Sequence, residues 1–234
     1  MQVVKHQFSP AKILVVDDSE ACLLLVKALL EKLGYECFCA STFLQACEYA
    51  SEHKPQRALI DLVMPEGNGA ILSAELHRRC PGIHTFVISA DYPVDLTSSS
   101  NACGRFSGAI GKPVSLTGLR DLLGLPARQE SPVDGLSMRL ESLPQPQRAM
   151  FVQALLQDLD DVSILLSHAG SLTQYLYCVH RLVGIFAAAA VEERHDIQLL
   201  EHKLKQGDAL APQQMTQILE HIRCVSSRIR HYVE

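Results

Sequence analysis

The sequence predicts two folds in series: an α/β doubly wound sheet of five parallel strands, followed by an all-α four-helix bundle. Three observations predict this. Short β-rich apolar runs alternate with helical stretches in the first half of the chain, the alternation then stops, and four stripes of apolar residues at helical spacing replace it.

The first strand is ILVV at 13–16, a continuous apolar run of the kind buried on both faces of a parallel sheet. From Glu20 to Leu33 the pattern is helical and stops at Gly34, a helix-ending residue. YECFC (35–39) reads as the second strand and Thr42–Ser51 as a helix. ALID (58–61) is the third strand, followed by a Pro/Gly-rich loop and a helix from Gly69 to Arg79. HTFVIS (84–89) is the fourth strand, Gly108–Ile110 the fifth, and Ser115–Leu123 the closing helix. Residues 1–124 thus form one domain, and the polar, Pro- and Gly-containing segment 125–135 reads as a linker. In 136–234 the four stripes are Phe151–Leu155–Leu159–Val162–Leu166, Leu172–Leu176–Val179–Val183–Phe186, Ile197–Leu200–Leu204 and Ile218–Ile222–Val225–Ile229. Amphipathic helices of this length with short connections suggest an up-and-down bundle.

Composition narrows the function classes. The net charge of −5 is shared evenly: 11 Lys/Arg against 13 Asp/Glu in 1–125, and 10 against 13 in 126–234. Neither half carries the basic excess of a domain that binds phosphate backbones, so nucleic acid is not an expected partner. No apolar run is long enough to span a bilayer, and the first residues, MQVVKHQFSPAK, lack a signal-peptide core. The eight cysteines contain no CxxC pair and read as free thiols in a reducing compartment. A cytoplasmic location is expected.

Parallel strands gather their carboxyl ends on one rim, where such sheets carry their chemistry. The first strand ends in Asp17 and Asp18, the third in Asp61, the fourth in Ser89, and the fifth runs into Lys112-Pro113. Singly, each reads as a turn residue or helix cap. Together they place three carboxylates, a hydroxyl and an ammonium side by side. Three such carboxylates repel one another unless a cation neutralises them, and oxygen-only ligands favour Mg²⁺.

VVDDSE, LIDLVMPEGNG, VISA and GKPV together resemble the receiver domain of bacterial response regulators, over residues 11–124. The resemblance implies a flavodoxin-like fold in which Asp61 takes a phosphoryl group from a phosphohistidine of a sensor histidine kinase. It implies Mg²⁺ held by Asp17, Asp18, Asp61 and the backbone carbonyl of Val63, with Lys112 and Ser89 on the phosphoryl oxygens. Ala90 is small and would leave the acceptor open. The aromatic switch position of receivers with DNA-binding outputs, three residues before the lysine, is Ala109 here, and Phe106 lies further upstream. This receiver therefore looks suited to passing phosphate on. The rival with an Asp nucleophile beside Mg²⁺ is a haloacid-dehalogenase-type phosphatase. It needs a second Asp two residues after its nucleophile, and Ser19 or Glu20 stands there instead.

Six of ten histidines lie beyond residue 126. His195 and His202 lack metal-ligand spacing and read as surface residues. His180, in YCVHRLVGIFAAAA, sits beside an apolar stripe at the solvent-facing edge of the core, with Gly184 one turn later opening an approach to its ring. The segment resembles the histidine-phosphotransfer motif H-x-L-K-G, written here His180-Arg181-Leu182-Val183-Gly184, within a resemblance over 136–232. The motif lysine is Val183, and only Lys203 or Lys205 could supply an ammonium if the bundle brings them near. The implied function is a phosphorelay protein, with no ATP-binding motif of its own, that accepts phosphate on Asp61. It would exchange phosphate through His180 with its own or another receiver or phosphotransfer protein. The alternative is a phosphorylation-gated adaptor whose helical half binds a partner and carries no phosphate. On either reading the chain is a phosphocarrier or switch and not an enzyme.

Overall fold

The computed structural model describes residues 10–65, 67–90, 105–126, 136–191, 193–208 and 210–230. The first part contains β1 (Lys12–Val16), α1 (Glu20–Lys32), β2 (Glu36–Ala40), α2 (Phe43–His53) and β3 (Arg57–Asp61). A short hairpin, β4 (Val63–Met64) and β5 (Gly67–Asn68), leads into α3 (Gly69–Arg79). Then come β6 (His84–Ser89), β7 (Phe106–Gly111) and α4 (Leu116–Leu122). The long strands form one parallel sheet in the order β2-β1-β3-β6-β7. The order steps outward from β1 in both directions, so α1 and α4 cover one face and α2 and α3 the other.

Local chemistry explains the element ends. Ser19 caps α1 by accepting from the Cys22 amide, and Gly34, at φ +85°, turns the chain out of it. Asn68 caps α3 by accepting from the Ala70 amide. The hairpin after Asp61 was not expected from the sequence. It returns the chain so that Gly69 presses against the end of β3, where only glycine fits: a Cβ there would lie 2.2 Å from the Asp61 carbonyl oxygen. Most of the expected linker lies outside the described residues, as do residues 91–104 between β6 and β7.

The second part is helical: α5 (Leu136–Ser142), α6 (Gln145–His168), α7 (Leu172–Ala188), α8 (Arg194–Lys205) and α9 (Pro212–Arg230). The four longer helices coincide with the four apolar stripes, and α5 is an addition to them. α7 packs on α6 and α8, and α9 on α6. No helix among the described residues is long and apolar enough to cross a membrane.

The two halves share a core. α6 and α7 lie against α1, and one continuous cluster of buried apolar side chains runs from Ile13 and Leu25 to Phe151, Val179 and Phe186. From Cys178 to Ala188 every α7 residue except Arg181 is buried, the pattern of a helix covered on all sides. Phe151 and Phe186 are fully buried, and truncating such a side chain to Ala costs about 3–5 kcal/mol. The interface is therefore built like an interior.

Candidate functional site

Parallel pairing brings the strand ends together as the sequence predicts. Asp17 and Asp18 follow β1, Asp61 closes β3, Ser89 closes β6, and Lys112 follows β7, where its amide donates to the Ser89 carbonyl. One carboxylate oxygen from each of Asp17, Asp18 and Asp61 lies within 4.8 Å of the others. Lys112 Nζ stands 2.5 Å from Asp61 Oδ2 and 2.8 Å from Asp17 Oδ2. Burial opposes its charge, but the Asp17 and Asp61 carboxylates hold its pKa well above the usual lysine value. Val63 donates its amide to Asp61 Oδ1 at 3.0 Å, which fixes the carboxylate against the rim. An all-oxygen donor set this compact suits a hard divalent cation.

The site is closed, contrary to what Ala90 suggests from sequence. Asp17, Asp61, Ser89 and Lys112 are all buried, because α7 lies over them. A Cβ added at Gly184 would meet Lys112 Nζ at 3.6 Å. That is ordinary van der Waals distance, so α7 packs directly beside the ammonium at this position. Lys112, from the first half of the chain, is thus the ammonium that stands beside Gly184. Lys205 is brought close: its Nζ lies 3.1 Å from Glu201 Oε1, the same oxygen that His180 Nδ1 meets at 2.6 Å, whereas Lys203 is exposed. Val183 is fully buried in the core and offers no surface position for a cation.

His180 is 5% exposed, so the expectation of a solvent-facing ring is overturned: the ring lies between Glu201 of α8 and the first half of the chain, whose Asp61 and Lys112 act on it. Its Nδ1 lies 2.6 Å from Glu201 Oε1. Burial alone would lower the His180 pKa. The Glu201 hydrogen bond and the charges of Asp61 and Glu201 outweigh it and raise the pKa above the ordinary value. Burial pushes Glu201 upward, but its bonds to His180 and Lys205 hold it below the usual carboxylate range. With Nδ1 committed to Glu201, Nε2 is the ring nitrogen left for chemistry.

Other side chains join the two halves. Tyr177 donates its hydroxyl to Asp18 Oδ2 at 2.7 Å, and Arg181 Nε stands 3.1 Å from the same oxygen. Burial and the Asp18 charge both push Tyr177 upward, so it remains a phenol and a donor. Asp158 of α6 accepts from Ser19 Oγ at 2.7 Å and from the Ala21 amide at 3.2 Å. A carboxylate from the helical half therefore caps the N-terminus of α1, where the helix dipole favours negative charge. Arg194 at the start of α8 donates to the Lys112 carbonyl at 3.0 Å.

Sequence reasoning missed Tyr177, Asp158, Arg194 and Glu201, and gave Arg181 no partner. A signal existed for two of them. Asp158 falls between Leu155 and Val162, and Glu201 between Ile197 and Leu204, on helix positions that should be apolar. A carboxylate on such a stripe requires a buried partner.

Asp158 yields a pH prediction. Burial pushes it from 3.8 to about 6, against the hydrogen bonds from Ser19 and Ala21 and the charge of Arg181. A folded-state pKa above the unfolded value favours folding at low pH, and that contribution is lost as pH rises through about 6. Between about pH 5 and pH 8 this group alone should destabilise the chain by about 1.4 kcal/mol. Asp158→Asn removes the titration. Its stability relative to wild type should therefore improve by that amount from pH 5 to pH 8 in denaturant melts. A pH-independent difference between the two would show that Asp158 is not the titrating group.

Comparison with known proteins agrees with this geometry for the first half. The family model described as response regulator receiver domain matches residues 13–123. That part of the chain is a receiver domain. Sporulation initiation phosphotransferase F of Bacillus subtilis is 26% identical over 110 residues, covering 47% of this chain and 88% of that protein. The alginate biosynthesis transcriptional regulatory protein AlgB of Pseudomonas aeruginosa is 30% identical over 56% of this chain but only 28% of its own length. Among solved structures, a CheY-like receiver domain protein from Methanospirillum hungatei is 30% identical, with a TM-score of 0.43, covering 50% of this chain and 90% of that one. The receiver domain of the sensor histidine kinase PA1611 from Pseudomonas aeruginosa, solved with a magnesium ion in its active-site cleft, is 20% identical, with a TM-score of 0.44. It covers 49% of this chain and 95% of that one.

Proposed function

We propose that this chain is a phosphorelay protein in which Asp61 accepts a phosphoryl group from a sensor histidine kinase and His180 exchanges it. The observation that carries the reading is the placement of α7. The helix brings Gly184 against Lys112, and one turn away His180 is held through Nδ1 by Glu201 and feels the charge of Asp61.

The chemistry is two displacements at phosphorus. An Asp61 carboxylate oxygen attacks the phosphoryl group of a donor phosphohistidine; the O–P bond forms, the P–N bond breaks, and neutral imidazole leaves. His180 Nε2 then attacks the same phosphorus; the N–P bond forms, the O–P bond breaks, and the Asp61 carboxylate is restored. Both transition states are loose, so positioning and charge neutralisation dominate. Lys112 supplies a fixed cation at Asp61, and Ser89 lines the same pocket. Mg²⁺, held by Asp17, Asp18, Asp61 and the Val63 carbonyl, would add further charge neutralisation. Glu201 holds the Nδ1 proton, so Nε2 is the nitrogen that gives up its proton and offers a lone pair when the ring is neutral. In this reading the chain carries phosphate and turns over no small-molecule substrate. Its partners are the kinase and other receiver or phosphotransfer proteins.

A second reading, a phosphorylation-gated adaptor with an idle His180, draws on the burial of that ring and on Val183. The linkage of the phosphate decides between them. Acetyl phosphate-labelled protein should acquire an acid-labile, base-stable fraction if His180 takes part, and only a base-labile fraction if the chain is an adaptor.

Glu201→Gln supplies a graded test. It keeps an acceptor beside Nδ1 but removes the charge. A hydrogen bond to a charged group contributes about 1.5–3 kcal/mol and a neutral one about 0.5–1.5, so transfer to His180 should slow by about five- to tenfold. The His180 pKa, followed by NMR, should fall at the same time. A slower rate with an unmoved pKa would assign Glu201 to packing alone.

A further inference from the structure

We propose that Arg181 and Tyr177 form a latch that holds the helical half on the receiver through Asp18, and that a divalent cation binding at Asp17, Asp18 and Asp61 opens it. The inference rests on the metal site of the proposed function.

The closed chain neutralises its acidic rim with its own cations. Lys112 lies between Asp17 and Asp61, while the guanidinium of Arg181 and the hydroxyl of Tyr177 both sit on Asp18 Oδ2. Arg181 is further tied to Asp158, at 3.5 Å from its Oδ1, and Asp158 grips the N-terminus of α1. Among the described residues, Asp18 is thus the expected metal ligand that an ion pair and a hydrogen bond from the helical half meet directly. A divalent ion on the rim would compete for Asp18 and would stand as a like charge beside a guanidinium that is only 10% exposed. With that much of the site desolvated, the repulsion is weakly screened. Cation binding and latching are therefore alternatives, and each must weaken the other by the same factor.

The arrangement has a consequence for access. With the latch closed, Asp61 is 2% exposed and no external phosphodonor protein can reach it. Opening exposes Asp61 and His180 together. The cation would then both prepare the acidic pocket and clear the way to it.

The test is Mn²⁺ binding to the intact chain, read as free Mn²⁺ by electron paramagnetic resonance, with no phosphodonor present. Arg181→Gln should tighten Mn²⁺ binding about tenfold or more. Tyr177→Phe, which removes one hydroxyl and keeps the ring, should tighten it severalfold; circular dichroism establishes that each variant is folded. Saturating Mg²⁺ should in turn speed amide hydrogen exchange in the first turn of α1 and along Cys178–Ile185 of the wild type. Equal or weaker Mn²⁺ binding in both variants, or exchange unchanged by Mg²⁺, overturns the latch and leaves the metal site standing. No Mn²⁺ binding to any of the three proteins overturns the metal site, and the latch with it.

Discussion

Asp61→Asn should abolish labelling of the intact chain by acetyl phosphate and Mg²⁺, a loss of at least about a hundredfold, while the fold persists. The amide has nearly the volume of the carboxylate and can still accept from the Val63 amide, as Asp61 Oδ1 does at 3.0 Å. It cannot act as the oxygen nucleophile. Removing the charge also removes one of the two carboxylates around Lys112, whose ammonium would keep Asp17 at 2.8 Å. The variant should therefore be no less stable than wild type by more than about 1–3 kcal/mol, the range for altering one buried charged hydrogen bond. Label that survives in the folded variant would place the acceptor elsewhere.

His180→Gln should remove the acid-labile phosphate entirely and leave the base-labile phosphate on Asp61. Glutamine can still bond to Glu201 across the position that Nδ1 occupies, but it has no ring nitrogen to form an N–P bond. Because His180 is the drain for the aspartyl phosphate in the proposed scheme, the lifetime of the Asp61 label should lengthen in this variant. The lone pair on Nε2 is what is lost, and the ammonium groups nearby do not replace it: Lys112 on Asp17 and Asp61 and Lys205 on Glu201 are ion-paired cations with no lone pair to offer. An acid-labile fraction that persists in His180→Gln would reassign the carrier to another histidine.

Much of the receiver half was legible in the chain because its determinants are local. The apolar runs at 13–16 and 84–89 and the helix 69–79 follow from side-chain pattern and capping, and the rim residues follow from the parallel connection of strands. The stripes of α6 to α9 were legible for the same reason. What the sequence withheld was the surface across which the halves meet. Gly184 reads equally well as room for a partner protein or room for Lys112, and only the tertiary arrangement distinguishes them. The stretch Leu182–Ala188 after His180 is apolar on every side of the helix, a pattern that announces a second covering surface without naming it. The acidic residues Asp158 and Glu201 on apolar stripes carried the same message. Their partners, 137 and 21 residues distant in the chain, could not be read from spacing.

The central claim is that phosphate moves between Asp61 and His180 of one chain. The most direct measurement is a chase of intact, labelled protein after the phosphodonor is removed, with the acid and base stability of the remaining label followed over time at several protein concentrations. The account predicts that base-labile label converts to acid-labile label with a first-order rate that does not depend on protein concentration. Conversion that scales with concentration, or label that stays base-labile until it is hydrolysed, would contradict it.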